Sequence, residues 1–364
     1  MRRLPAARWL PRTRAASLSD VKSVDWSAYA PVVVGCAGTQ LTSEERVLFG
    51  VRKPLGLILF ARNISDPAQV RALINDFRGV VGNALAPVLI DQEGGRVARL
   101  KPPHWPVFPR GAAFGELYAR DPALAEEAAY LNYRWIGAEL AALGIDVDCA
   151  PVADLPIEGA HDVIGDRAYG RDADTVTLIA EAVMRGLAEA GVMPVIKHIP
   201  GHGRSHTDSH LALPVVDTPA EVLESSDLLP FVALRHAPWA MTAHIVYTAY
   251  DGVLPATLSP NVIKRVIRDR IGFDGVLISD DLTMKALKGS PAVTGVASLK
   301  AGCDLVLHCS GDLPEMQALL AALPAMSPEA ARRVAHARAA LPAPRPFTDA
   351  ERLRHQALLE QATA

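Results

Sequence analysis

The chain has 364 residues, half of them apolar, with 37 lysines and arginines against 40 aspartates and glutamates and a net charge of −3. That is length for two average domains or one large α/β domain, with enough apolar content for a sizeable core. No basic stripe or charge block suggests nucleic acid, and no run of about 18 apolar residues suggests a membrane span, so small-molecule substrates are expected.

In chain order, residues 1–20 (MRRLPAARWLPRTRAASLSD) hold five arginines and no acid before Asp20. They lack the apolar core of about 7–15 residues that marks a secretory signal. Residues 1–25 therefore read as an Arg-rich or disordered N-terminal extension. From residue 30 on, short apolar runs alternate with longer amphipathic ones. The runs are PVVVG (31–35), GLILFAR (56–62), APVLID (86–91), IDVDCAPV (145–152), VMPVIKH (192–198), WAMTAHIVY (239–247), GVLISD (275–280) and CDLVLHC (303–309). Most are too continuously apolar for strands with one wet face, which fits parallel strands covered on both sides.

The segments between these runs read as helices. Asp66-Pro67, Asp121-Pro122, Thr218-Pro219 and Ser259-Pro260 each join a capping residue to a proline that forfeits an N–H with no partner. Behind Asp66, Val70, Leu73, Ile74 and Phe77 share one face. Behind Ser259, Ile263, Val266 and Ile267 do the same, and Gly272 closes the segment. Eight strands with intervening helices predict an α/β fold, a single-domain (β/α)8 TIM-type barrel over residues 26–325. Residues 326–364 form a helical tail opening at Ser327-Pro328. A doubly wound open sheet is the weaker alternative, because no G-x-G-x-x-G follows the first strand and Gly94-Gly95 sit in DQEGGR. Cys36, Cys149, Cys303 and Cys309 lack CxxC spacing and read as buried thiols of a reducing, cytoplasmic compartment.

In a barrel, chemistry gathers at the C-terminal ends of the strands. The third run ends in Asp91, Gln92 and Glu93, the fifth in Lys197 and His198, the seventh in Ser279, Asp280 and Asp281, and the sixth contains His244. Ionisable groups behind apolar runs are costly to bury singly, so a shared pocket accounts for them best. After the fifth run comes KHIPGHGRSHTDSH (197–210), with histidines at every fourth position. Pro200, Gly201 and Gly203 oppose a helix, so the segment is a loop and the spacing is coincidental. A metal site is disfavoured, since the H-x-H that barrel metallohydrolases carry on their first strand is missing from PVVVG. Asp208, two residues before His210, can hold that imidazole in one tautomer and raise its basicity, as a general acid/base needs. His202, between two glycines, is expected to brace the loop, and His206 to be solvated.

KHIPGHG-x₄-DSH (197–210), GFDGVLISDDLTM (272–284), IDQEGGRVARL (90–100) and IGDRAYG (164–170) together resemble the family 3 glycoside hydrolases over residues 30–310. More narrowly, they resemble the bacterial β-N-acetylhexosaminidases of peptidoglycan recycling. The resemblance implies a retaining mechanism. Asp280 matches the nucleophile, with Asp281 as its competitor, and His210 matches the general acid/base, oriented by Asp208. Asp91, Arg99, Arg167, Lys197 and His198 match sugar-binding positions. Ile199 and Thr283 replace the usual phenylalanine and serine. After the eighth run the second α/β domain of many family members is missing, which argues for the single-domain branch. The implied substrate is a small carbohydrate, an N-acetylglucosaminyl-1,6-anhydro-muramoyl peptide. No cofactor, metal, nucleic acid or membrane is expected to take part, and the chain is expected to be a monomer. Rival readings are a phosphorylase, a β-glucosidase or β-xylosidase, and a catalytically dead glycan-binding barrel.

Overall fold

Eight parallel strands close on themselves in a computed structural model that describes residue 21, residues 24–209 and residues 211–363. The strands are β1 (Ala30–Val34), β2 (Pro54–Leu59), β3 (Val88–Ile90), β4 (Val147–Asp148), β5 (Met193–Ile199), β6 (Trp239–Thr242), β7 (Val276–Asp281) and β8 (Leu305–His308). Each of the eight apolar runs contributes one of them. Neighbours in the closed order are β1, β8, β7, β6, β5, β4, β3 and β2, all paired in parallel. Val33 lies beside Leu307 and Gly56, Leu89 beside Val147, and Ala240 beside Leu277. Except at their ends, the strands are buried on both faces, which is why they read as continuous apolar runs.

Helices cover the barrel where the sequence expects them. Asp66 accepts hydrogen bonds from the N–H groups of Ala68 and Gln69 and opens the helix Pro67–Val81, whose Val70, Leu73, Ile74 and Phe77 are buried. Asp121 opens Pro122–Leu143 in the same way. Three expectations need correction. Thr218 caps nothing: the helix Ala220–Ser225 starts behind Pro219 without a side-chain cap. Ser259 does accept the N–H of Val262, but Val262–Arg270 winds as a π-helix rather than an α-helix. Ile263, Val266 and Ile267 still face inward, so the apolar pattern is served by either winding. The sixth run breaks after β6. The Ala243 N–H is the last to reach β5, at the Ile199 carbonyl, and Val246–Tyr247 pairs instead with Val215–Val216 in a separate two-stranded sheet.

The helices Pro328–Ala340 and Asp349–Thr363 follow the barrel. The first is bolted to the N-terminal ends of the strands: Arg338 reaches Asp146 at 2.7 Å and Arg333 reaches Asp304 at 2.9 Å. The second buries Leu358 and places His355 against Asn132. Among the described residues no helix is long and apolar enough to cross a membrane. Residues 1–20 lie outside the described residues.

Candidate active site

The residues singled out at the strand ends converge on the C-terminal mouth of the barrel. Behind β3 the chain folds back in a tight turn. The Gln92 side chain accepts the N–H groups of Arg99 and Leu100 at 2.8 and 3.0 Å. Gly94 makes the turn possible, with φ of 91° and no room for a Cβ, which would meet the Pro109 carbonyl oxygen at 2.3 Å. The fold-back returns Arg99 to Asp91, 2.9 Å away.

Asp91 and Glu93 then share the buried ammonium of Lys197, at 3.0 and 2.6 Å. Arg167, from the loop after β4, grips Glu93 with two parallel hydrogen bonds of 2.8 and 2.9 Å. Asp91, Arg99, Arg167 and Lys197 are thus one connected network, with Glu93 at its centre. Burial acts to raise both carboxyls, but Lys197 and Arg99 hold Asp91 far below the usual range, and Arg167 and Lys197 hold Glu93 at about 2. Beneath them Asp148, fully buried, accepts the Gln92 N–H at 2.9 Å on one oxygen, while its other oxygen has no partner among the described residues. Burial pushes this carboxyl up to about 8, so it stays protonated at neutral pH.

His198 follows Lys197 on β5. Its Nδ1 lies 2.7 Å from Asp154, which also accepts the backbone N–H groups of His198 and His202 at 3.1 and 2.7 Å. Burial acts to raise Asp154, and His198 brings it down to about 2.

Across the mouth, the two aspartates that end β7 differ sharply. Asp281 is consumed by structure. One oxygen accepts the N–H groups of Thr283 and Cys309, both at 3.0 Å, and the other accepts the Thr283 hydroxyl at 2.6 Å. Asp280 accepts the N–H of Asp281 at 2.8 Å and, among the described residues, forms no ion pair. Burial acts to raise its carboxyl, yet the imidazoles of His244 and His198 beside it bring it below the ordinary range. His244 sits on the wall, with Nδ1 2.7 Å from the Thr257 hydroxyl and Nε2 3.0 Å from the Asp281 carbonyl oxygen. Burial lowers its pKa, against the pull of Asp280.

The loop after β5 leaves the same end of the barrel. Its base is packed too closely for a side chain at Gly203, where a Cβ would meet the Leu155 carbonyl oxygen at 1.9 Å. His206 is exposed and approaches the Gly159 carbonyl oxygen at 3.0 Å. Asp208 is partly buried, and its carbonyl oxygen accepts the N–H groups of Leu211 and Ala212. His210 itself lies outside the described residues. Cys36, Cys149, Cys303 and Cys309 are all buried and free.

Residues 40–339 match the family model described as the glycosyl hydrolase family 3 N terminal domain. The chain belongs to glycoside hydrolase family 3. This family 3 chain is 39% identical over 316 residues to a β-hexosaminidase of Bordetella pertussis, covering 84% of this chain and 87% of that one. Its fold is similar to that of native NagZ from Neisseria gonorrhoeae, with a TM-score of 0.82 at 31% identity over 92% of this chain and 98% of the other. The same NagZ in complex with N-trifluoroacetyl-D-glucosamine also aligns at a TM-score of 0.82 and 31% identity, over 92% and 99% of the two chains.

Glu93, Asp154 and Asp148 belong to the site's framework; sequence reasoning placed Glu93 at a strand end without giving it a role, and passed over the other two. Asp154 carries the signal used for its neighbours, an acid just beyond an apolar run (APVAD, 150–154). Glu93 stood in the DQE triplet, but nothing in one dimension shows that it bridges Lys197 and Arg167.

Proposed function

We propose that the chain is a retaining exo-β-N-acetylglucosaminidase that releases terminal N-acetylglucosamine from cell-wall muropeptides of the 1,6-anhydro type in the cytoplasm. The observation that carries this reading is the contrast at the end of β7: Asp281 is held by Cys309 and Thr283, whereas the Asp280 carboxyl accepts the Asp281 N–H and lies beside the imidazoles of His244 and His198. Family membership and the ligand of the similar NagZ, an N-acylated glucosamine, support the sugar.

In this reading the Asp280 carboxylate attacks the anomeric carbon as the glycosidic bond breaks. The departing oxygen takes a proton from His210, and the sugar is left esterified to Asp280. His210, now neutral, accepts a proton from water as that water displaces Asp280, which restores the starting charges. Asp208 orients the imidazole and stabilises its cationic form. Asp91 has lone pairs to accept sugar hydroxyls, while Arg99, Arg167, Lys197 and His198 set the field and the donors around the ring. Residues 26–325 are assigned to the catalytic barrel and residues 326–364 to a helical tail, whose first helix, Pro328–Ala340, ties to the N-terminal ends of the strands.

A histidine acid/base, unlike a carboxylate, does not repel an incoming phosphate, which favours phosphorolysis as the second reading. Two comparisons test the proposal. An aryl β-glycoside bearing the 2-acetamido group should turn over, while the matching glucoside and xyloside should not. In phosphate buffer the product should be free sugar. Sugar 1-phosphate would establish phosphorolysis instead, and rapid turnover of the glucoside would overturn the assignment of substrate.

A further inference from the structure

The loop after β5 has a pinned half and a projecting half. Residues 201–204 are pinned. The Tyr247 hydroxyl donates to the Gly201 carbonyl oxygen at 2.6 Å, and Arg204 reaches Asp227 at 2.7 Å and Ser226 at 3.1 Å. The chain then passes through the exposed His206 and Thr207 and returns inward at Ser209, which is buried. His202 is the side chain that joins the halves. It is 3% exposed, its N–H donates to Asp154, and its Nε2 lies 3.0 Å from the Ser209 Oγ. Ser209 stands between Asp208 and His210.

We propose that His202 and Ser209 are positioning residues, whose hydrogen bond latches the projecting half of the loop where Asp208 and His210 must be held over Asp280. This rests on the reading of His210 as general acid/base. Three features suit His202 to the task. Its backbone is fixed by the Asp154 carboxylate that also fixes His198, so the latch and the sugar-side imidazole share one anchor. Its ring packs edge-on against His198 at 5.4 Å between centroids, which leaves little freedom to swing. Burial, with His198 beside it, pushes it down to about 4, so at neutral pH it is an uncharged hydrogen-bond partner that adds no second cation to the pocket. A small displacement of a proton donor is costly to rate even where binding is unchanged.

The test compares Ser209→Ala and Ser209→Thr with His210→Ala, on two aryl β-N-acetylglucosaminides with good and poor leaving groups. A positioning role predicts that Ser209→Ala lowers kcat/KM, which reports formation of the glycosyl-enzyme, about 10²-fold on the poor leaving group and only a few-fold on the good one. Ser209→Thr, which keeps the hydroxyl, should recover most of the loss. His202→Gln, with an amide nitrogen near the place of Nε2, should sit between Ser209→Ala and the unmodified enzyme. If His210→Ala depends on the leaving group and Ser209→Ala does not, the latch is wrong and the acid/base stands. If His210→Ala shows no such dependence, the acid/base reading falls and takes the latch with it. Equal losses from Ser209→Ala on both substrates would mark mere structural damage and overturn the proposal.

Discussion

Asp146 and Asp304 at one end of the barrel and Asp280 at the other are held in opposite ways. At the N-terminal end, Asp146 accepts Arg78, Arg338 and the Val88 N–H, at 2.9, 2.7 and 2.8 Å. Asp304 likewise accepts Arg268 and Arg333 at 2.8 and 2.9 Å and the Leu277 N–H at 2.8 Å. Every strong partner there is another part of the fold. At the C-terminal end, Asp280 accepts a single backbone N–H among the described residues, and imidazoles and a more distant ammonium lower its pKa against burial. On the proposed function, the same residue type in the same barrel serves cohesion where its partners are permanent, and chemistry where room is left for an incoming one. The Asp91–Glu93–Lys197–Arg167 network lies between these extremes. It is internally matched in charge, yet Arg99 and Asp91 remain partly open to the mouth.

Four substitutions would break or sharpen this contrast. The largest effect is expected from Asp280→Asn: a loss of about 10⁴-fold or more in kcat, with the thermal unfolding midpoint almost unmoved. Steady-state kinetics and a melting curve on one sample check both halves. Asp304→Ala should do the reverse. Leaving Arg268 without its carboxylate, and Arg333 with Asp274 alone, should cost about 3 kcal/mol in denaturant unfolding, with near-normal kcat for the folded fraction. His210→Ala should lose about 10²–10⁴-fold on substrates with poor leaving groups and less on activated ones. A flat response across leaving groups would remove it from the proton-transfer role.

The smallest effect at neutral pH is expected from Asp148→Asn. The folded-state value of Asp148, about 8, lies above that of an unfolded aspartate. The folded chain therefore keeps a proton that the unfolded chain has released, and native stability falls as pH rises from about 4 towards 8. Asp148→Asn should flatten that slope, as unfolding free energies at several pH values would show. An unchanged slope would mean that Asp148 is ionised in the folded state.

Much of the barrel was legible because burial on both faces leaves its mark on each strand separately. The mouth was legible for a related reason: Asp91, Lys197, His198 and Asp280 all interrupt apolar runs. Contacts that depend on two distant segments were not. Glu93 gains its place from Lys197 and Arg167, residues 104 and 74 positions away by subtraction of their numbers. The π-winding of Val262–Arg270 leaves the same inward residues as an α-helix would, so no periodicity could reveal it. Thr218 carried the outward form of a cap, but the backbone starts its helix beyond Pro219 and never brings the hydroxyl to a free N–H. The contact of His202 with Ser209 spans an irregular loop, where spacing carries no geometric information.

The central claim is that the carboxylate ending β7 forms a bond to sugar. Incubation with a 5-fluoro glycosyl fluoride bearing the 2-acetamido group should add one glycosyl mass to the protein. Peptide mapping should then place that mass on Asp280. A label on Asp281 or elsewhere, or steady turnover through a state that never becomes covalent, would contradict the account.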